Sequence, residues 1–440
     1  MTAKSLDQKL AAIHADPSGC REFILADAKD ADMAFGVGAP GMSPEMHAGE
    51  PRFRTLAEYR EQIRQVVQQG LVDIMLMSAS TNEQLTIKER LFDNSHVTPA
   101  ARANDTSDIF VVRGGRYAEQ PSQPFRTATI DHIQCGKYEC RDDERVLGAN
   151  LGLYSITFNN RLEDDLRALQ EYRQFRLEAE QRGFRHFLEL FDPNAPHQLD
   201  PAETANYIND CIARTLAGVV GPGRPIFLKI VYHGPKAMEE LVSYDPHLVV
   251  GILGGGAGTT YDAFKLLAEA QKYGARVALY GRKINNAENQ LAFIQFLRLI
   301  VEGQISPEEA VRAYHGVLAQ LKIRPQRSLE DDLQMTTGVT SYSGRGTVSV
   351  PLGVPTAQGN GQASKPAASQ GTAGPKSGGS CGCGCKGKAA GAAPGEKAGS
   401  CSGSTNGQAQ ADGEADFAKM SPAEKRAWQQ AKRDRIWGKF

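Results

Sequence analysis

Eight short apolar runs, most separated by stretches with helical periodicity, set the strongest limit on what this chain can fold into. They are Glu22–Ala26, Val72–Met77, Asp108–Val112, Leu151–Phe158, Arg185–Phe191, Ile226–Val231, Leu248–Leu253 and Arg276–Tyr280. Amphipathic patterns cover Leu56–Gln69, Leu162–Gly183, Pro201–Val219 and Gly234–Ser243. Runs that are apolar on both faces suit parallel strands covered on both sides. Eight such units in about 300 residues fit a closed (β/α)8 TIM barrel better than an open doubly wound sheet. A dinucleotide fold is the runner-up, but no GxGxxG opens the domain and the glycine-rich turn follows the seventh run.

Composition then divides the 440 residues. Residues 1–330 carry the α/β barrel pattern. Residues 331–415 form a Gly/Ala/Ser/Cys-rich linker too poor in apolar side chains to order itself, and residues 416–440 recover the character of a short basic helix. The net charge of −1 argues against nucleic acid as a partner. No membrane association is expected, since no run of about 18 apolar residues occurs. The N-terminus lacks the apolar core of a secretory signal, so a cytoplasmic location is expected.

Cys20, Cys135, Cys140 and Cys211 are scattered through the barrel region, whereas Cys381, Cys383, Cys385 and Cys401 crowd the linker. A chain with so large a core implies no disulfide framework. The four linker thiols could gather a soft metal, cross-link, or sit in an inert tether. No metal is expected in the barrel.

The chemistry begins at Lys229, an ammonium inside the apolar run Ile226-Phe227-Leu228-Lys229-Ile230-Val231-Tyr232. Strand alternation puts Phe227, Lys229 and Val231 on one face and Tyr232 on the other. Desolvation disfavours a buried ammonium and frees the amine to attack a carbonyl. The competing readings are a lysine that snorkels from a strand end or one that pairs with a carboxylate.

The seventh run opens into Gly254-Gly255-Gly256-Ala257-Gly258-Thr259-Thr260 and a helical pattern, and the eighth into Gly281-Arg282-Lys283. Two consecutive glycine turns between strand and helix, the second with an arginine, favour a grip on an anion over plain tight turns. The loops after the last two strands are the usual phosphate site of a (β/α)8 barrel.

A lysine on the sixth strand, a glycine loop after the seventh, and Tyr280-Gly281-Arg282 followed by a long helix and Gly303-Gln304-Ile305-Ser306-Pro307-Glu308-Glu309-Ala310 resemble the class I aldolase superfamily of deoxyribose-phosphate, tagatose-bisphosphate and archaeal-type fructose-bisphosphate aldolases. The resemblance is most specific over residues 224–312. It implies that Lys229 forms a Schiff base with a phosphorylated carbonyl substrate, that Gly255, Gly256, Gly281 and Arg282 hold the phosphate, and that no cofactor takes part. It also implies an acidic residue at the end of the first strand, for which Asp27 is the candidate with Asp30 and Asp32 as competitors. A homo-oligomer is expected. Two departures stand out. The fifth strand reads His186-Phe187-Leu188-Glu189-Leu190-Phe191-Asp192 where the family places an aromatic pair with the proton-transfer tyrosine, so either Glu189 acts as the acid/base there or the chemistry differs. Lys283 stands where asparagine usually follows Gly-Arg.

The proton-moving group is therefore one of Glu189, Asp27 or Tyr232, with Glu189 facing inward by alternation and Tyr232 outward. His186 and His233 read as structural residues at strand ends. Thr157, Asn159 and Asn160 could bind substrate hydroxyls or cap the next helix. The irregular stretch Arg113–Gly148 reads as a lid or a partner surface.

The last segment starts with the capping pattern Ser421-Pro422-Ala423-Glu424 and carries both tryptophans, Trp428 and Trp437. It resembles the encapsulation peptides of enzymes packed into bacterial microcompartments, which implies a shell or scaffold protein as partner. The competing reading folds it back on its own barrel. For the whole chain, a same-fold transferase, thiolase or isomerase, or a catalytically silent scaffold barrel, stands beside the aldolase reading.

Overall fold

A computed structural model of the protein describes residues 2–41, 53–195, 198–255, 258–336 and 421. The chain divides into two compact units, Met1–Val354 and Pro355–Phe440. Linker residues 337–415 with their four cysteines, residues 416–440 apart from Ser421, and Gly256 lie outside the described residues.

The barrel strands are β1 (Ile24–Lys29), β2 (Ile74–Met77), β3 (Thr98–Arg102), β6 (Leu151–Thr157), β7 (Arg185–Phe191), β8 (Leu228–Ile230), β9 (Val250–Leu253) and β10 (Val277–Tyr280). Two short strands, β4 (Asp105–Thr106) and β5 (Pro124–Phe125), pair antiparallel outside the barrel. All eight barrel strands run parallel and close in the order β1-β10-β9-β8-β7-β6-β3-β2. Helices follow most of the strands, as expected for chains whose strands alternate with amphipathic segments.

Alternation along each strand sorts side chains into two cores. Ile24, Ala26, Leu151, Leu153, Phe187, Phe227, Val249, Val277 and Leu279 fill the inside of the barrel, joined by Leu6, Leu10 and Ile13 of the N-terminal helix Ser5–Ala15. The strand residues of opposite parity, among them Leu25, Met75, Leu188, Ile230 and Tyr280, pack outward against the helices. Local signals set the helix starts. Thr55, Thr259 and Ser306 each form a reciprocal capping box with Glu58, Asp262 and Glu309, satisfying amides at the first turn.

Seven of the eight expected strands appear, Arg185–Phe191 with the ends expected and the other six with shifted ends. The third does not lie at Asp108–Val112; it is Thr98–Arg102. Thr-Pro-Ala-Ala-Arg carries little β-propensity, and its proline precedes the ladder to β6, which begins at Ala101. Ile109 is apolar for another reason: it packs on Phe191, Val231 and Leu253 at the barrel mouth. The first strand also runs three residues further than expected, to Lys29, which changes the reading of Asp27.

One local disulfide, Cys135–Cys140, lies in the irregular stretch, and Cys20 and Cys211 are free thiols. The bridge closes a short turn after the helix Ile130–Cys135 and does not amount to a framework. No helix among the described residues is long and apolar enough to cross a membrane.

Candidate active site

Strand register builds the centre of the barrel mouth. Ser155 of β6 aligns with Glu189 of β7, Glu189 with Lys229 of β8, and Lys229 with Gly251 of β9. The layer beneath holds Phe187 stacked on Phe227 at 4.5 Å between ring centres. Two residues further along the strands, Phe191, Val231 and Leu253 meet Ile109. A polar layer thus lies between two apolar ones, where charge interactions are weakly screened.

Within that layer Lys229 is 5% exposed and Glu189 is fully buried, with 2.5 Å between Nζ and Glu189 Oε1. The other carboxylate oxygen, Oε2, accepts a hydrogen bond from Ser155 Oγ at 2.7 Å and lies 3.7 Å from an Arg102 guanidinium nitrogen. Arg102, at the end of β3, also donates from Nε to Asp30 Oδ2 at 2.6 Å and from Nη1 to Ser155 Oγ at 3.2 Å. Asn104 supports Ser155 from the side: its Oδ1 accepts the Ser155 amide at 2.6 Å and its Nδ2 donates to the Ser155 carbonyl at 2.9 Å. A buried ammonium is tolerated here because a carboxylate faces it, the pairing that the competing reading of Lys229 expected.

A cavity of about 60 Å³ opens above Lys229, bounded by Asp30, Arg102, Gly255, Gly281 and Arg282, with Phe35 and Leu253 as apolar walls. It has room for several waters. The opening lies toward β1, β9 and β10. The segment between β4 and β5 closes the opposite side, held by buried Asp108, which accepts from Ser122 Oγ at 2.8 Å and Thr157 Oγ1 at 3.0 Å. Burial raises the Asp108 carboxyl pKa. The lid-like part of the irregular region is therefore its start; Arg116 pairs with Glu119 at the surface and Arg126 with Glu178 on the helix layer.

On the side of the glycine turns, Gly255 has φ +59°, the left-handed region, and a Cβ there would meet nothing within 4 Å. Gly254 is fixed by packing: a Cβ would come within 2.2 Å of the buried Tyr280 ring. Gly254→Ala is expected to displace the loop and destabilise the barrel by about 1–3 kcal/mol, the scale of overpacking; unfolding in urea checks this, with an unchanged midpoint as the contrary result. Arg282 lies with its guanidinium 5.9 Å from the Phe35 ring centre. Lys283 turns away from the cavity and donates to the carbonyls of Gly258 at 2.6 Å and Thr259 at 2.8 Å. Burial, reinforced by Arg327, brings its pKa down to about 8 against the opposing pull of Asp262, Asp332 and Glu288. Lys283 braces the glycine loop and does not line the cavity.

Of the sequence candidates, Lys229, Gly255, Gly281 and Arg282 line the cavity, and Glu189 lies buried beneath it against Lys229. Asp27 does neither. In register with Met75 and Tyr280, it points into the helix layer and pairs there with Lys29. The odd positions of β1 face outward, so Asp30, one of its named competitors, reaches the cavity. Tyr232 also faces outward, donating to Glu269 at 3.2 Å, and both burial and that carboxylate raise its pKa. Asn159 ties the lid segment by accepting the Ser122 amide, and Asp165 accepts the amides of Asn159 and Arg161 at the next helix start. His186 is buried against Tyr172, its pKa brought down to about 3 by burial, and His233 pairs with Asp192 at 2.9 Å.

Arg102, Ser155 and Gly254 were missed. Arg102 carried a signal: a lone charge among small residues in Ala100-Ala101-Arg102-Ala103, the same kind of mark that singled out Lys229.

Asp105 of β4 adds a measurable property beside the site. Burial pushes its carboxyl up to about 6, with Arg102 pulling against it and Asp30 and Asp32 adding to the rise. An unfolded aspartate releases its proton near about 3.9. The folded chain therefore holds that proton more tightly, and stability falls as pH rises from about 4 through about 6. Asp105→Asn is expected to flatten this slope and to gain up to about 3 kcal/mol at neutral pH, read as urea midpoints across that range. An unchanged slope contradicts the assignment.

No protein-family model and no curated protein matches the chain. Among solved structures, a fructose-bisphosphate aldolase from Slackia heliotrinireducens DSM 20476 aligns with a TM-score of 0.51 and 12% identity over 71% of this chain and 91% of that one. A Schiff base-forming fructose-1,6-bisphosphate aldolase aligns with a TM-score of 0.47 and 15% identity, covering 67% and 99%. An archaeal fructose-1,6-bisphosphate aldolase with its catalytic lysine bound to a carbinolamine intermediate aligns with 0.45 and 16%, also covering 67% and 99%. The first of these shares with this chain the closed (β/α)8 fold, which is what similarity at such identity shows.

Proposed function

We propose that the chain is a class I aldolase that makes or breaks a carbon–carbon bond in a phosphorylated sugar or aldehyde through a Schiff base at Lys229. The observation that carries this reading is the Lys229–Glu189 contact of 2.5 Å at the floor of a cavity whose rim holds Gly255, Gly281 and Arg282.

In the resting pair Lys229 is an ammonium and Glu189 a carboxylate. Transfer of one proton from Nζ to Oε1 leaves a neutral amine and a neutral acid. The amine attacks the substrate carbonyl, and a proton passes from nitrogen to the new alkoxide to give a carbinolamine. Glu189 then returns its proton to the departing hydroxyl, which leaves as water, and an iminium remains on Lys229. In cleavage the substrate's β-hydroxyl gives its proton to the Glu189 carboxylate, the bond between the α and β carbons breaks to release an aldehyde, and its electrons pass to the iminium nitrogen to leave an enamine. The enamine takes the proton back at the α carbon and is freed from Lys229 by water. Asp30 is placed to accept a hydrogen bond from a substrate hydroxyl, and the loop amides with Arg282 to hold the phosphate. Iminium chemistry asks for no organic cofactor.

A retro-aldol assay tests this reading: incubation with ketose and deoxyaldose phosphates, with the aldehyde product read by coupled reduction. Release of a triose phosphate or aldehyde supports an aldolase. An adduct at Lys229 without cleavage points to a transferase or isomerase of the same fold. Neither adduct nor product points to a silent scaffold barrel. A role in carbohydrate metabolism and a homo-oligomeric state belong to the same proposal. Residues 416–440 are proposed as a docking peptide for a shell protein of a microcompartment; a fluorescent protein fused to them that fails to co-purify with shell proteins counts against it.

A further inference from the structure

We propose that Arg102 is a positioning residue that keeps the Lys229–Glu189 proton exchange one-sided and electrically balanced, an inference that rests on the aldolase reading for its role in turnover. Four charged side chains share the buried layer, Asp30 and Glu189 acidic and Arg102 and Lys229 basic, while Asp105 and Asp32 act on them from beside it and Arg282 lines the cavity. Each Arg102 contact has a separate consequence. The 2.6 Å bond to Asp30 gives that carboxylate a counterion of its own. The 3.2 Å bond to Ser155 orients a hydroxyl that in turn donates to Glu189 Oε2 at 2.7 Å. The guanidinium itself stands 3.7 Å from Oε2. Oε2 is thus occupied by Ser155 and Arg102, and Oε1 is turned toward Lys229.

The charge count explains why an arginine suits this place. With Lys229 and Glu189 both charged, the four groups sum to zero. After the proton passes to Glu189 both are neutral, and Arg102 with Asp30 still sums to zero. When the iminium forms, Glu189 is again a carboxylate and the balance holds. Without Arg102, Asp30 and Glu189 face a single cation in the resting state and none after transfer, a poor arrangement at low dielectric. Arginine holds its charge throughout because it does not lose a proton in proteins.

The test reads the reactivity of Lys229 apart from aldol turnover. Wild type, Arg102→Met and the double variant Arg102→Met/Asp30→Asn are treated with pyridoxal 5′-phosphate and borohydride from about pH 6 to pH 10, and labelling at Lys229 is followed by peptide mass. Removing a cation from the layer makes the groups left in it, the Lys229 ammonium included, hold their protons to higher pH, so Arg102→Met is expected to shift the labelling profile upward and to slow labelling at neutral pH by about tenfold or more. The double variant, which removes one carboxylate with the cation, is expected to return the profile most of the way to wild type. An unshifted Arg102→Met profile overturns the proposal. A double variant as impaired as the single one overturns it too, because loss of packing alone would not be rescued by Asp30→Asn. If Arg102→Met does not fold, the double variant decides alone: a folded protein with the wild-type profile supports the charge balance, and a shifted profile overturns it. Normal labelling without any retro-aldol product would sink the aldolase reading and leave this one standing.

Discussion

Lys229→Met is expected to lower aldol turnover by about 10⁴-fold or more, the scale on which an activated nucleophile matters, and to abolish covalent trapping of the substrate. It also destabilises the barrel by about 3 kcal/mol, because Glu189 is left buried without the ammonium that faced it at 2.5 Å. Glu189→Gln separates the two effects. It keeps the shape and the Ser155 contact while removing the proton acceptor, so turnover is expected to fall by about 10²- to 10⁴-fold with Lys229 still present. Steady-state kinetics with urea unfolding of both variants measures the pair. Near-normal turnover in Glu189→Gln would mean that another group moves the proton.

Asp27→Asn is expected to cost about 3–5 kcal/mol of stability while leaving the activity of each folded molecule unchanged. Asp27 and Lys29 form a fully buried ion pair, 3.1 Å apart, between the barrel and its helices. Burial raises the Asp27 carboxyl pKa and lowers that of the Lys29 amine, each against the attraction of the other. Both directions say that dehydration outweighs the pairing. Removing one member strands the other. Replacing both, as in Asp27→Leu/Lys29→Met, is therefore expected to be neutral or stabilising by about 1–4 kcal/mol. Urea midpoints of the two singles and the double complete a thermodynamic cycle. A catalytic collapse in Asp27→Asn at full stability would return Asp27 to the active site.

The fate of Asp27 shows how far sequence reading reaches. Alternation grouped Glu189 with Phe187 and Phe191, and Lys229 with Phe227 and Val231; for Glu189 it was the carboxylate itself, badly buried anywhere but the barrel mouth, that argued for the inner face. Around Asp27 the run Phe23-Ile24-Leu25-Ala26 is apolar on both faces, so no pattern tells inside from outside. Placing the strand end at Ala26 made Asp27 look like a mouth residue, yet the ladder continues to Lys29, in register with Met77. β3 was hidden for a similar reason: its alanines leave room for the long Arg102 side chain, and small residues give no strand signal. The glycine loops were legible because glycine marks backbone need directly, as at Gly255 with its positive φ. Lys283 was not, because one more cation beside Arg282 reads the same whether it faces a ligand or a carbonyl.

Borohydride reduction in the presence of a ketose or aldehyde phosphate, followed by peptide mapping of the whole chain, tests the central claim most directly. The account predicts one stable adduct, of the mass of the reduced substrate, on the peptide holding Lys229, and none in Lys229→Met. An adduct on a different lysine, or equal labelling in Lys229→Met, contradicts it.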